Sequence, residues 1–120
     1  MATLTAKLVL TSSDATTDTL SLSVTDTLTI EEPIVGPSRM AVGTSATVLV
    51  AGTISDATYI YIKHAGADTT FVTVHNDAGN NIAKLSVGEY MWLPIMDSTG
   101  IEVKSNTSTT VIEYAYWTKT

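Results

Sequence analysis

The sequence predicts an all-β protein made of antiparallel strands, and three observations support this prediction. The 120 residues include 22 Thr and 11 Ser, and Thr, like Val and Ile, is branched at Cβ and suits strands better than helices. Apolar and polar side chains alternate with a period of two over long stretches. Turn signals recur about every 8–12 residues, a spacing typical of a sandwich or a barrel. No segment longer than a turn repeats with the helical period, so we expect essentially no α-helix.

Residues 1–30 predict an N-terminal β-hairpin arm. Side chains alternate from Ala2 to Leu10, the polar segment Thr11–Asp18 suits a hairpin loop, and the alternation then resumes. The apolar face of the two strands carries Leu4, Ala6, Leu8, Leu10, Leu20, Leu22, Val24, Leu28 and Ile30, interrupted by Asp26. Because an isolated hairpin is marginal in water and long edges are usually protected or used for pairing, we expect the arm to pack against another surface.

Residues 31–45 are predicted to form a connector. This segment contains Pro33, Pro37, Gly36 and Gly43. Proline cannot donate a backbone hydrogen bond to a sheet, so we expect no central strand to run through it.

Residues 46–120 are predicted to form the core of what is overall a single compact domain. Turn signals divide them into the strands Ala46–Gly52, Ala57–His64, Thr70–Asn76, Asn81–Leu85, Tyr90–Pro94, Ile101–Lys104 and Thr110–Lys119. The residues expected in the core are Ile60, Ile62, Val72, Val74, Ile82, Leu85, Leu93, Ile101, Val103, Ile112 and Tyr114. A chain of this length buries about two thirds of its unfolded surface, enough for one core without disulfides or a structural metal.

Composition argues against several classes of function. The net charge is −6 with a pI near 4.5, and the six Lys and Arg residues are scattered along the chain, whereas nucleic-acid binding needs clustered basic residues. Cysteine is absent, which excludes disulfides, thiol nucleophiles and Cys-ligated metals. The first ten residues alternate and do not read as a signal peptide. No window approaches the roughly 20 apolar residues of a membrane-spanning helix, so we expect no membrane partner.

The candidate chemical groups do not form a catalytic pattern in the sequence. His64 and His75 each lie near a strand end without an accompanying nucleophile motif, and we interpret them as ordinary solvated or turn-bonded histidines. The segment Asp97–Gly100 resembles an aspartic-protease element only superficially and suits a turn. Asp14, Asp18 and Asp26 lack the ligand pattern of a calcium loop, and Asn106-Thr-Ser108 suits a polar turn. We therefore expect no catalytic residue, no cofactor and no metal, and hence no enzyme.

The aromatic residues of the core segment are the stronger candidates for recognition. They are Tyr59, Tyr61, Tyr90, Trp92, Tyr114, Tyr116 and Trp117, and they occupy both faces of neighbouring strands. Such residues suit either carbohydrate stacking or contact with another protein subunit, and the nearby aliphatic residues Met91, Met96 and Val111 favour protein contact. The candidate partner-binding residues from the arm and this set are Leu4, Leu8, Leu20, Leu22, Tyr90, Trp92, Tyr116 and Trp117.

Two parts of the chain resemble structural proteins of tailed bacteriophages. The opening Ala2–Asp18, continuing to Thr29, resembles the start of small virion proteins, including those of phages that infect cyanobacteria and other marine bacteria. A second pattern is similar to the β-sandwich of capsid-decoration and tail-associated proteins, and it comprises Thr58–Lys63, Asn81–Pro94, Gly100–Ser105 and Val111–Tyr114.

The resemblance implies a jelly-roll-like antiparallel β-sandwich with an N-terminal arm and no catalytic activity. It implies a capsid decoration, or cement, protein that binds the major capsid protein or another virion protein on the outer capsid surface as a homo-oligomer, with a trimer favoured. A tail, neck or fibre component of the virion is one alternative. A carbohydrate-binding module that uses Tyr90, Trp92 and Trp117 is another.

Overall fold

The computed structural model describes residues 2–54, 58–67 and 69–119 of the chain. Every regular element in these ranges is a β-strand, which confirms the prediction of an all-β protein. Ala57, predicted to begin a strand, lies outside the described residues, as do the predicted turn residues Ser55, Asp56 and Asp68 and the two chain ends.

The strands form two antiparallel sheets. In chain order they are β1 (Ala2–Ser12), β2 (Leu20–Val42), β3 (Thr47–Val50), β4 (Thr58–His64), β5 (Val72–Asn76), β6 (Asn81–Leu85), β7 (Tyr90–Ile95), β8 (Ile101–Ser105) and β9 (Thr110–Lys119). One sheet has the order β1-β2-β9-β4-β7, and the other has the order β3-β8-β5-β6.

The chain divides into two compact units, and the first is the N-terminal ribbon, which ends at Glu31. β1 pairs with β2 without interruption from Ala2 opposite Ile30 to Ser12 opposite Leu20. Residues with even numbers therefore share one face and residues with odd numbers share the other. The even face is the apolar face that the alternation predicts.

Residues 31–45 differ from the predicted connector, because β2 continues through Pro33 and Gly36-Pro37 to Val42. The Gly36-Pro37 peptide bond is cis. The prediction of a connector considered only a central strand, in which every residue needs an N–H to donate to a neighbouring strand. The register with β1 ends opposite Ile30, and beyond it β2 has β9 as its neighbour. Among the described residues, the other side of this part of β2 is an open edge, where proline is tolerated.

The second unit begins at Glu32 and contains a hydrophobic core drawn from both sheets. Eight of the predicted core residues are buried, and Leu93 and Tyr114 are partly buried against the same cluster. The structure adds five residues that were not among the predicted core residues, namely Val42, Leu49, Val50, Ile95 and Tyr116.

Ile82 is the predicted core residue that the structure contradicts, because it is 45% exposed. Val74 pairs with Ala83, whereas the next residue, His75, pairs with Asn81. The register therefore shifts at this point and leaves Ile82 without an opposite residue on β5. Within β6, Leu85 is buried and Ala83 packs against the core, so a period of two places Ile82 on the opposite face of the strand. The prediction that Ile82 and Leu85 both face the core is therefore inconsistent with alternation.

Candidate functional site

The apolar face of the ribbon is a candidate contact surface. The register places Leu4 opposite Leu28 and Leu8 opposite Val24, and Leu10 lies opposite Leu22. Leu8 is 42% exposed and Val24 is 54% exposed. These cross-strand pairs form an apolar surface that is exposed to solvent at Leu8, Leu10, Leu22 and Val24. Asp26 interrupts it, and Ile30 at its far end is buried.

The charges of the ribbon are few. Asp26 lies on the apolar face opposite Ala6, and Lys7 lies on the other face opposite Thr25. The face that carries Lys7 is otherwise dominated by Thr and Ser pairs, such as Thr3 with Thr29. The two faces therefore differ sharply in polarity, as in a strand pair that is covered on one side.

A second candidate surface is an aromatic cluster of Tyr59, Trp92 and Trp117. Tyr59 stacks on Trp92 with 5.5 Å between ring centroids and 9° between ring planes. Trp92 also lies 5.8 Å from Trp117 at a tilt of 45°. Because Ile60 and Ile62 of β4 are fully buried in the core, Tyr59 points to the opposite face of the sheet.

The cluster is itself well packed. Lys119 Nζ lies 5.6 Å from the centroid of the Tyr59 ring, and Tyr59 is buried. Both neighbours of the Tyr59 ring therefore belong to the chain itself, and little of this ring remains for a ligand to cover.

The other two aromatic residues predicted to bind a partner do not belong to this cluster. Tyr90 is the most exposed of them, at 60%, and lies opposite Lys63 on β4. Tyr116 instead belongs to the hydrophobic core. It lies opposite Ile60, so the strand register turns it inward and removes it from the candidate surface. Of the predicted set, Trp92 and Trp117 are the pair that the structure brings together, and Tyr59 joins them.

Tyr61 and Glu113 form a hydrogen-bonded pair beside the aromatic cluster. The Tyr61 hydroxyl donates to Glu113 Oε1 at 3.0 Å, and Arg39 Nε lies 3.8 Å from Glu113 Oε2. Burial raises the pKa of Tyr61, and the hydrogen bond to Glu113 and the negative charge of that carboxylate raise it further. The arrangement stabilises the neutral hydroxyl.

His64 is a buried histidine bonded to loop backbone, which agrees with the turn-bonded alternative of the sequence interpretation and not with the solvated one. Its Nε2 lies 2.9 Å from the carbonyl oxygen of Thr70, and its Nδ1 accepts a hydrogen bond from the N–H of Gly66. This pattern fits the neutral tautomer with the proton on Nε2. Both ring nitrogens hold neighbouring loop backbone in place.

His75 is also buried, and an acid lies beside it. Its Nδ1 is 2.9 Å from the carbonyl oxygen of Asn76 and 3.9 Å from Glu102 Oε1. Its Nε2 is buried and has no hydrogen-bond partner among the residues that the structure describes. In the ranges that the structure describes, no group of three His, Cys, Asp or Glu residues could hold a metal ion.

The three candidate calcium ligands of the arm do not come together. The Ser12 hydroxyl donates to Asp14 Oδ1 at 3.1 Å, which keeps this carboxylate in the loop. Asp26 lies six residue pairs from the loop end, where Ser12 faces Leu20, a separation of about 20 Å. A shallow pocket of about 360 Å³ at the ribbon tip is lined by Thr11, Ser12, Ser13, Thr19, Leu20 and Ser21, none of which is a carboxylate or a histidine.

Comparison with known proteins does not assign the chain to a family. No family model matches the chain, and neither does any curated protein or solved structure. In the described part of the chain there is no helix of the length and hydropathy needed to cross a bilayer.

Proposed function

We propose that this chain is a structural protein of a tailed-phage virion, a capsid decoration protein that binds the outer capsid surface as an oligomer. In this proposal the two sheets form a jelly-roll-like β-sandwich, the ribbon is the adhesive arm, and the protein has no catalytic role. The observation that carries the proposal is the exposed apolar face of the ribbon, with Leu8, Leu10, Leu22 and Val24 all open to solvent.

The size of this face supports a contact role. Eleven paired residues at about 3.4 Å each, across two strands, give a face of roughly 35 by 10 Å. Isolated domains rarely expose contiguous apolar patches larger than a few hundred Å², and larger ones usually mark contact sites. The face therefore approaches the size at which a partner is expected.

The charge of the chain supports the outer surface of a particle over its interior. The net charge of −6 repels packaged DNA. Many copies of a decoration protein can also stabilise a capsid strongly although each contact is modest, because the contacts are made simultaneously on the same shell.

Co-sedimentation with capsids that lack the protein tests the proposal. The wild-type chain is expected to pellet with such capsids. The double variant Leu8→Ser, Val24→Ser removes one apolar cross-strand pair and should lose most of the binding. Val9→Ser is the matched control, because Val9 is 52% exposed but lies on the opposite face, opposite Ser23. Equal binding by all three proteins would contradict the role of the apolar face, and no binding by wild type would contradict the capsid role.

A tail, neck or fibre position is the alternative within the same particle. It uses the same adhesive ribbon, so binding alone does not separate it from the capsid position. Electron microscopy of virions labelled through an added C-terminal tag distinguishes the two, because label on the capsid faces supports decoration and label confined to the tail supports the alternative.

Carbohydrate binding through the aromatic cluster is a second candidate function. Trp92 and Trp117 lie on a sheet face, as in a sugar-stacking platform. The mutual stacking of Tyr59 and Trp92 argues against it, because a platform needs ring faces open to the ligand. A glycan array decides the matter: signals that Trp92→Ala abolishes would support this candidate, and an array without such signals would dismiss it.

A further inference from the structure

We propose that β1 is a self-association edge, through which two copies of this chain pair their β1 strands antiparallel about a two-fold axis at Ala6. The proposal goes beyond the proposed function, because it names a second copy of the chain as the partner of this edge, whatever particle the protein binds. β1 is the outermost strand of its sheet. Among the described residues, no strand therefore pairs with its outer backbone N–H and C=O groups.

The β1 edge lacks the features that usually protect an edge. It is eleven residues long, contains no proline, and pairs with β2 without a bulge. Lys7 is its one charged residue. Natural edges of this length are normally shortened, charged or covered. A two-stranded ribbon is also marginal in water, whereas further strands with a shared apolar face stabilise it.

The sequence of β1 is complementary to itself. In an antiparallel pair, the two apolar faces lie on the same side only when an even-numbered residue faces an even-numbered one. If Ala6 lies opposite Ala6 of the second copy, Leu4 lies opposite Leu8 and Ala2 opposite Leu10. Every pair on that face is then apolar, and nine residues of each strand take part.

Charge and length select this register over its neighbours. A two-fold axis at Lys7 would place two Lys7 side chains directly opposite each other, and like charges in that position are destabilising. An axis at Leu8 would place Leu4 opposite the polar Ser12, and an axis at Thr5 would pair seven residues instead of nine. With the axis at Ala6, Lys7 lies opposite the neutral Thr5.

The area of the ribbon face supports two copies acting together. One face covers about 350 Å², well below the roughly 800 Å² that each partner contributes to a standard interface. Edge pairing would join two faces into one four-stranded, largely apolar surface of about 700 Å², interrupted by the Asp26 side chain of each copy, and this area approaches that size. The backbone hydrogen bonds of the new strand pair add to the association directly.

A cysteine cross-link tests the register, because the chain has no cysteine of its own. Ala6→Cys would place two thiols across the axis at a Cα separation of about 4.5–5.5 Å, which suits a disulfide. Val9→Cys is the matched control, since two residues at that position would be about 20 Å apart. Mild oxidation should yield a disulfide-linked dimer for Ala6→Cys alone, and equal cross-linking of the two variants would overturn the register.

A charge variant tests the association without a covalent bond. Thr5→Lys would place two like-charge pairs across the interface, and the dimer dissociation constant measured by sedimentation equilibrium should rise about 2- to 30-fold. Thr27→Lys is its control: Thr27 pairs with Thr5 inside the ribbon, so it adds the same charge one strand further from the edge. An unchanged dissociation constant for Thr5→Lys would contradict the proposal.

The molar mass of the purified wild-type chain distinguishes the remaining outcomes. A concentration-dependent mass that tends to two chains is expected. A monomer at all concentrations, or a mass of three chains as the phage resemblance favours, would overturn the two-fold edge. Failure of the edge-pairing proposal can be distinguished from failure of the capsid proposal, because the molar mass is measured without capsids. Capsid binding by Thr5→Lys can be measured in a separate experiment.

Discussion

Gly36 illustrates how one residue lets β2 approach β9 closely. Its φ is +90°, and a Cβ built at this position would lie 2.5 Å from the carbonyl oxygen of Tyr114 and 2.9 Å from Ala115 Cα. An L side chain there would be strained by the backbone conformation and would also collide with main-chain atoms of β9. The glycine is therefore required for both reasons.

Gly36→Ala should lower the free energy of unfolding by about 2–5 kcal/mol, the sum of a positive-φ cost and an overpacking cost. Gly88→Ala is the control, because Gly88 has φ +83° with open space around its Cβ position, and it should cost about 1–2 kcal/mol. Urea unfolding followed by tryptophan fluorescence measures both. Equal losses would show that the contact with β9 is unimportant.

Tyr61 contributes stability that is lost at high pH. Its pKa is raised, first by burial and then by Glu113, so the folded protein holds the phenolic proton more tightly than the unfolded chain does. This contribution is fully present below the ordinary tyrosine pKa near 10 and is lost as the pH rises through the folded-state value.

The unfolding free energy of the wild type should therefore fall as the pH rises above about 10, through the raised pKa of Tyr61, and Tyr61→Phe should flatten part of that fall. Tyr90→Phe serves as the comparison and should change the slope less, since Tyr90 is largely exposed and its charge is the smallest of the causes that act on the pKa of Tyr61. Denaturant titrations at a series of pH values provide the measurement. A wild-type slope that Tyr61→Phe leaves unchanged would contradict the assignment.

At the scale of elements, the ribbon and the rest of the chain are separate compact units. Every residue of the hydrophobic core cluster lies between Val42 and Tyr116. The second part of β2, which supplies Val42 to that cluster, begins after the ribbon ends. Ile30 of the ribbon is also buried, but it is not a member of this cluster, which includes no residue from 2–31.

A chain that begins at Glu32 should fold without the ribbon and keep a cooperative thermal transition. Circular dichroism and tryptophan fluorescence provide the measurement, because Trp92 and Trp117 both lie in this unit. The truncated chain should also remain monomeric and lose binding to capsids. A chain that begins at Gly43 is the contrasting variant, since it also lacks Val42 and the rest of β2 and should unfold. Loss of the transition in the Glu32 chain would show that the ribbon stabilises the core.

At the scale of the whole molecule, stability should differ between the two units. β4 pairs with β7 on one side and β9 on the other, and Ile60 and Ile62 are fully buried. Within the described ranges, β1 pairs on one side alone, and it exposes most of its side chains. Strands with few buried contacts open at lower free energy.

Hydrogen exchange followed by mass spectrometry should therefore show slow exchange in β4 and faster exchange in β1. If β1 edges pair, protection of β1 should rise with protein concentration while that of β4 stays constant. Measurements at two concentrations, one on each side of the dimer dissociation constant, supply their own control. Protection of β1 equal to that of β4 in the dilute sample would contradict the marginal stability of the ribbon.

Local patterns account for much of the fold. Alternation over residues 2–10 and 20–30 predicts two faces, and the observed register places the apolar residues together. The same reasoning identifies Ile60, Ile62, Ile101 and Val103 as core. Two assignments that departed from the alternation are wrong: Ile82 lies on the face of β6 opposite to the buried Leu85, and Tyr116 lies on the inward face of β9 with Ile112 and is not part of a contact surface.

What the sequence determined by itself is the all-β class, the amphipathic ribbon and most of the core, because a period of two is a local property that each strand carries. The tertiary structure decided the features that depend on a neighbouring strand. Proline continues in β2 because one edge there is open among the described residues. The buried His64 has hydrogen-bond partners because the loop between β4 and β5 returns its backbone to both ring nitrogens. Tyr59 stacks on Trp92 because β4 and β7 are adjacent. These outcomes depend on pairing between distant segments, which no single stretch of sequence encodes.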